Sequence, residues 1–196
     1  MPDNLQQKSN AHIMHLSIAE YGKLCLIKGD VGEALRHFRE AIQLSVSAKA
    51  PEVFFRHYTH CVLEALEKAG NFDEVEDYCR RADAHYQQLD LDSALLRKDH
   101  GATVERLALM LLLKSDDRAA RAEFSRAVEI AGKGKLPLSE ALLGWLQRGL
   151  AITRERLRQM QSKHDYFLIE KSSVNEAIAT PLPPQAARRS PASMLG

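Results

Sequence analysis

The sequence predicts an all-α protein built of about three helix-turn-helix repeats followed by a C-terminal capping helix. Three observations carry this. Leu and Ala dominate an apolar fraction of 45%, while aromatic residues make up only 6%. That mix favours helices, because neither Leu nor Ala loses much rotamer freedom there. Apolar residues recur at spacings of three and four, the period of one helical face. The same short pattern also returns three times along the chain, at 30–41, 71–82 and 116–127.

Each occurrence places a small or medium residue, a bulky or thiol residue four later, and an alanine three after that. The triplets are Ala34/Phe38/Ala41, Val75/Cys79/Ala82 and Ala120/Phe124/Ala127. Offsets of four and three put all three side chains on one face, with small residues flanking a large one so that a neighbouring helix approaches closely. Helix starts recur as well. Gly29 ends one helix, Asp30 caps the next, and Glu33 stands at the capping-box position. Gly70, Asn71 and Glu74 repeat that arrangement, whereas Ser115 or Asp116 opens the third helix without a matching Glu. Before each of these lies another helical stripe: Ile18, Tyr21, Gly22 and Cys25; then Val62, Leu63 and Leu66; then Val104, Leu107, Ala108 and Leu111.

Taken together these residues resemble the tetratricopeptide repeat (TPR-like) superfamily. Gly22, Ala34, Phe38 and Ala41 fit its pattern, as do Ala108, Ala120, Phe124 and Ala127. The middle unit departs at Leu63, Val75 and Cys79, which predicts looser packing there, and keeps Ala82. The period departs too: Ala34 to Val75 is 41 residues and Val75 to Ala120 is 45, against a usual unit of about 34. The chain is therefore similar to the long-unit members of the superfamily. The resemblance spans residues 9–163 and implies a right-handed superhelical stack. Its expected parts are repeats at 9–48, 51–89 and 93–132 and a capping helix at 137–163. A flexible N-terminus covers 1–8, and a Pro/Ala/Ser-rich tail covers 171–196.

Pro137 suits the start of the capping helix, and its basic end, Arg154-Glu155-Arg156-Leu157-Arg158, reads as the wet outer face of a stack. A basic surface for an acidic partner is the other reading of that stretch. In the tail, Thr180-Pro181-Leu182-Pro183-Pro184 favours extended polyproline conformations. The tail reads either as a plain terminus or as a docking peptide, for another protein or for a neighbouring copy's groove in a homo-oligomer. Ser190, beside Arg188 and Arg189, is a weakly signalled phosphorylation site. The apolar patch at 166–169 is expected to fold back onto the last helix.

Charge and patterning narrow the function. A net charge of +1 and a pI near 7.8 argue against a nucleic-acid binder. The longest apolar run, at 107–113, is far short of the roughly 20 residues that span a membrane. The first residues carry no apolar signal segment, so a cytoplasmic location is expected. Cys25, Cys61 and Cys79 lack metal or redox spacing and read as buried thiols. No phosphate-binding loop, zinc-protease motif or nucleophile elbow is present. His57, His60 and Cys61 could converge on one helical face, but two further zinc ligands have no marked position. Asp73, Glu74, Glu76 and Asp77, and separately Asp90 with Asp92, read as caps and solvated faces rather than acid–base pairs. The expectation is therefore no enzyme, no cofactor and no metal.

The resemblance implies that the first helix of each unit lines a concave groove for a peptide or helix of another protein. It assigns to that groove Ala19, Lys23 and Leu26, then His57, His60, Glu64 and Glu67, then Ala102, Glu105, Leu109 and Leu112. The carboxylate clamp of chaperone-tail binders is missing, since these helices carry no Asn after Asn10. The leading expectation is a scaffold or adaptor. A regulatory sensor that binds a peptide or small effector and acts on a separate protein, and a secretion-type chaperone, are the alternatives.

Overall fold

The computed structural model describes residues 3–89 and 93–183, with side chains from Ile13 onward. Among these residues all regular structure is helical. The helices are α1 (Asp3–Ile27), α2 (Val31–Ser47), α3 (Glu52–Ala69), α4 (Phe72–Tyr86), α5 (Ala94–Leu113), α6 (Asp117–Ala131), α7 (Pro137–Gln147) and α8 (Arg154–Lys163), with a 3₁₀ turn at Lys171–Ser173. No described helix is long and apolar enough to cross a membrane. The expected Asp90–Asp92 grouping and the tail from 184, with Arg188, Arg189 and Ser190, lie outside the described residues.

The chain divides into two compact units, residues 1–58 with 174–196, and residues 59–173. In the first unit α1 packs on α2. Ala34, Phe38 and Ala41 are fully buried, and a side chain at Gly22 would come within 2.8 Å of the Phe38 ring. The repeated triplet thus builds the helix crossing it predicts. Tyr58, at the end of this unit's share of α3, joins a core of Ile18, Ala19 and Ala41, and its hydroxyl lies 2.7 Å from His15 Nδ1.

In the second unit Ala120, Phe124 and Ala127 are buried on α6, and Val75 and Cys79 on α4. Val75 and Cys79 are no more exposed than their counterparts in the other two triplets, whereas Ala82 is half-buried. A close helix approach, missed in the sequence, is at Gly101 of α5. A side chain there would come within 2.6 Å of Ala131 and 3.0 Å of the Ala127 carbonyl on α6.

The turns repeat as well. At the end of α1, Gly29 N–H donates to Leu26 C=O and Asp30 N–H to Cys25 C=O. Gly70 and Asn71 close α3 in the same way, and Ser115 and Asp116 close α5. This closure needs a left-handed residue, a role usually filled by glycine. Gly29 and Gly70 fill it in two turns, while Ser115 adopts φ +66° in the third. Ser115→Gly is therefore expected to stabilise the protein by roughly 0.5–1 kcal/mol, offset in part by unfolded-chain entropy. Urea denaturation checks it through a rise in midpoint.

Asp30 and Asp116 cap α2 and α6, accepting from Glu33 N–H at 3.1 Å and Ala119 N–H at 3.0 Å. The reciprocal half of the expected capping box does not form. Asp30 N–H is spent on Cys25 C=O, and the Glu33 carboxylate turns to Arg36. Asn71 caps α4 without a side-chain bond.

Two expected boundaries are corrected. α1 begins at Asp3, well before residue 9. The single capping helix over 137–163 is two helices, α7 and α8. Gly149 at φ +69° ends α7, with Leu150 N–H closing on Trp145 C=O. Thr153 then caps α8 through Arg156 N–H.

Candidate functional site

The second unit buries an unusual number of charged groups, and they hold extended chain. Glu64 and Glu67 sit one turn apart on α3, and Arg106 projects from α5 just before its apolar run. Arg106 Nε lies 2.6 Å from Glu67 Oε1 and donates to Tyr166 Oη at 3.0 Å. Tyr166 in turn donates its hydroxyl proton to Glu67 at 2.9 Å. Arg106 Nη1 also lies 3.3 Å from His60 Nδ1. Burial pushes the Glu67 carboxyl up, with Arg106 and Tyr166 opposing. Burial likewise holds the Tyr166 phenol well above its ordinary value. Burial opposes the Arg106 charge, but Tyr166 and Glu67 outweigh it, so the guanidinium stays protonated.

Glu64 works on backbone. Its carboxylate accepts from Leu168 N–H at 2.8 Å and Ile169 N–H at 3.2 Å, and from Lys68 Nζ at 2.6 Å. Lys68 Nζ also stands 5.0 Å from the Phe167 ring centroid, a cation–π distance. Residues 166–169 stay on the last helix only at their start, where Tyr166 N–H donates to Gln161 C=O at 3.0 Å, and otherwise bond to α3 and α5, which corrects the expectation that the whole patch folds back onto that helix. Glu105 does similar work for α7. Leu136 offers that helix no side-chain cap, so Glu105 accepts from Ser139 N–H at 3.0 Å and Ser139 Oγ at 2.6 Å. Burial raises its carboxyl, with the Ser139 bonds opposing.

A third cluster ties α4 to α5 and α6. Arg126 clasps Asp83 with two bonds, at 2.9 and 2.8 Å. His100 Nε2 stands 2.6 Å from Asp83 Oδ1, and its ring stacks on Tyr86. Burial alone would raise the Asp83 carboxyl, but Arg126 and His100 outweigh it and hold it below the usual range. A depressed carboxyl contributes stability that is present above its unfolded value, about pH 3.9, and is lost as pH falls through the folded value. The destabilisation caused by Asp83→Asn is thus expected to be full at pH 6 and to shrink below about pH 4. Urea midpoints of wild type and variant across that range check it.

In the first unit the tail runs along the α1–α2 pair. Asn175 N–H donates to Glu20 Oε2 at 2.7 Å, and Thr180 N–H to Ser17 C=O at 3.0 Å. Leu182 N–H reaches His37 Nε2 at 3.0 Å, and Arg36 Nη1 donates to Pro183 C=O at 3.2 Å. His37 Nδ1 meets Glu33 C=O at 2.7 Å. A carbonyl only accepts, so the ring proton is on Nδ1 and Nε2 is free to accept. Leu182 packs beside Ile18, Ala19, Ala41 and Tyr58.

The eleven groove positions separate by burial. Ala19, Lys23, Leu26, Glu64, Glu67, Glu105, Leu109 and Leu112 are buried, while His57, His60 and Ala102 are half-buried. Lys23 pairs with Glu20 at 2.7 Å. Glu64 and Glu67 meet on the 166–169 segment, and Glu105 serves α7. His57 packs edge-on to Tyr58, Cys61 is fully buried, and no cluster of three metal-ligating side chains occurs among the described residues. Of the acidic grouping on α4, Asp73 and Glu76 both accept from Lys114 Nζ. Sequence reasoning missed Arg106, Asp83, Arg126, Ser17, Glu20 and His37. The one available signal was Glu105-Arg106 set against seven apolar residues, since a charge inside a buried stretch demands a partner.

No protein-family model, curated protein or solved structure matches the chain.

Proposed function

We propose that this protein is a non-catalytic, TPR-like interaction scaffold whose helix faces hold extended segments of a partner protein. One observation carries the reading: the chain uses its helix faces this way on itself. Glu64 receives two consecutive backbone amides of an extended strap, and Glu67 with Arg106 receives its tyrosine. Carboxylates, guanidinium and hydroxyl are all matched to chain, which is recognition chemistry.

The candidates for catalysis point the other way. Asp83–His100 has the geometry of an orienting acid and a base, yet His100 Nδ1 has no hydrogen-bond partner among the described residues, so no nucleophile among them is paired to it. Burial pushes the Cys79 thiol up to about 12, which removes the thiolate. The three repeated hairpin turns support a repeat stack.

Affinity purification at mild salt tests the reading, with the full chain and with a chain ending at Glu170. One protein recovered in stoichiometric amount with both supports a scaffold whose helices bind. Recovery with the full chain alone makes residues 171–196 the docking element. No stoichiometric protein with either overturns the reading.

A further inference from the structure

The α1–α2 face of the first unit already carries a peptide, residues 175–183 of its own chain. Four main-chain groups of this stretch are read by the helices: three amides donate to Glu20, Ser17 and His37, and one carbonyl accepts from Arg36. Main-chain reading is sequence-tolerant, so any extended segment of the right shape satisfies it. Selectivity comes from two features. Pro181 and Pro183 bracket Leu182 and favour an extended form, which lowers the entropy lost on binding. Leu182 packs against the buried core of the unit.

The attachment is light. All of residues 175–183 are exposed except Ala179 and Leu182, which are half-buried. A segment that buries so little apolar surface opens at low cost. It also leaves space unfilled. A cleft of about 570 Å³ lies between it and the helices, lined by Ile13, Met14, Ile18, Leu44, Thr180 and Leu182 among others. Ile13 and Met14 remain 55% and 54% exposed at its edge. A foreign segment that makes the same main-chain bonds and puts a larger apolar residue into this cleft binds better than the resident one.

We propose that the α1–α2 face is a receptor for an extended partner peptide of Thr-Pro-Leu-Pro type, and that residues 175–183 are its built-in competitor. The inference rests on the scaffold reading and names its site, its ligand chemistry and its regulation. If the tail covers the face nine-tenths of the time or more, the competent fraction is a tenth or less. The apparent dissociation constant of an outside peptide is then raised about tenfold or more.

The test uses full-length protein and a fluorescein-labelled peptide with the sequence of residues 175–183, read by fluorescence anisotropy. Leu182→Glu expels the tail without altering the receptor. This variant is expected to bind the peptide at least about tenfold tighter than wild type, and a scrambled peptide is expected not to bind. Adding Arg36→Ala, which removes the donor to the Pro183 carbonyl, is expected to reduce the gain. Leu182→Pro deletes the amide that His37 accepts and serves as a second release variant, and circular dichroism confirms unchanged helicity in each. No binding by either release variant overturns the proposal, as does equal binding by wild type, release variants and the Arg36→Ala protein. A stoichiometric partner recovered on purification alongside a failed peptide assay sinks this site and leaves the scaffold reading standing. Failure of both sinks both.

Discussion

Arg106→Ala is expected to destabilise the protein by about 3–5 kcal/mol, the cost of breaking a buried ion pair from one side. Two groups lose a partner together. Glu67 keeps a buried carboxylate without its cation, and Tyr166, still bonded to Glu67, loses the donor to its oxygen. The value of the arrangement lies in its completeness rather than in the attraction itself, because desolvation offsets much of the Coulomb gain. The triple variant Arg106→Met/Glu67→Leu/Tyr166→Phe is therefore expected to recover most of the loss, since it removes both charges and the hydroxyl bonded to them and nearly keeps the volume. Urea denaturation of the three proteins checks this. A triple variant as unstable as Arg106→Ala would contradict it by showing that the charged cluster contributes net attraction.

Gly101→Ala is the second large effect. Alanine in a helix is ordinarily about 1 kcal/mol better than glycine. At Gly101 the new methyl would come within 2.6 Å of Ala131 Cβ and 3.0 Å of a backbone oxygen, so α5 and α6 must separate. Overpacking of this kind costs roughly 1–3 kcal/mol, which outweighs the propensity gain, and Gly101→Leu costs more. Gly144 in α7 is the internal control, because nothing lies within 4 Å of a side chain placed there. Gly144→Ala is expected to stabilise by about 1 kcal/mol. Opposite shifts in thermal midpoint for the two substitutions check the argument. Ala131→Gly is expected to restore part of the Gly101→Ala loss.

These two sites show which parts of the molecule were legible in its sequence. The helices were, because Ala34/Phe38/Ala41 and Ala120/Phe124/Ala127 must share a face to be buried, and that requirement leaves a period. The turns were legible at Gly29 and Gly70, where the left-handed residue is glycine, and obscured at Ser115, where it is not. Gly101 was passed over because a glycine in a helix states only that a side chain is missing, not which neighbour needs the room. Glu64 and Glu67 lie on α3 and Glu105 on α5, and the sequence read all three as groove lining. A carboxylate in a sequence carries no mark of its partner, and these three found theirs in the strap and in α7. The strap and the tail were readable only in part. Extended segments have no period, and residues 175–183 are held largely by main-chain bonds that any sequence could make. The apolar patch at 166–169 and the prolines around Leu182 gave a signal, without saying where either segment lies.

The measurement closest to the central claim is photo-crosslinking from position 14 in the native cell, with a benzophenone amino acid in place of Met14. That side chain is exposed at the edge of the α1–α2 cleft. One discrete intermolecular adduct is expected, whose crosslinked peptide is an extended, proline-containing segment, with a higher yield of it in the Leu182→Glu background. An adduct to the protein's own tail alone, unchanged by Leu182→Glu and with no second protein in either background, would contradict that claim.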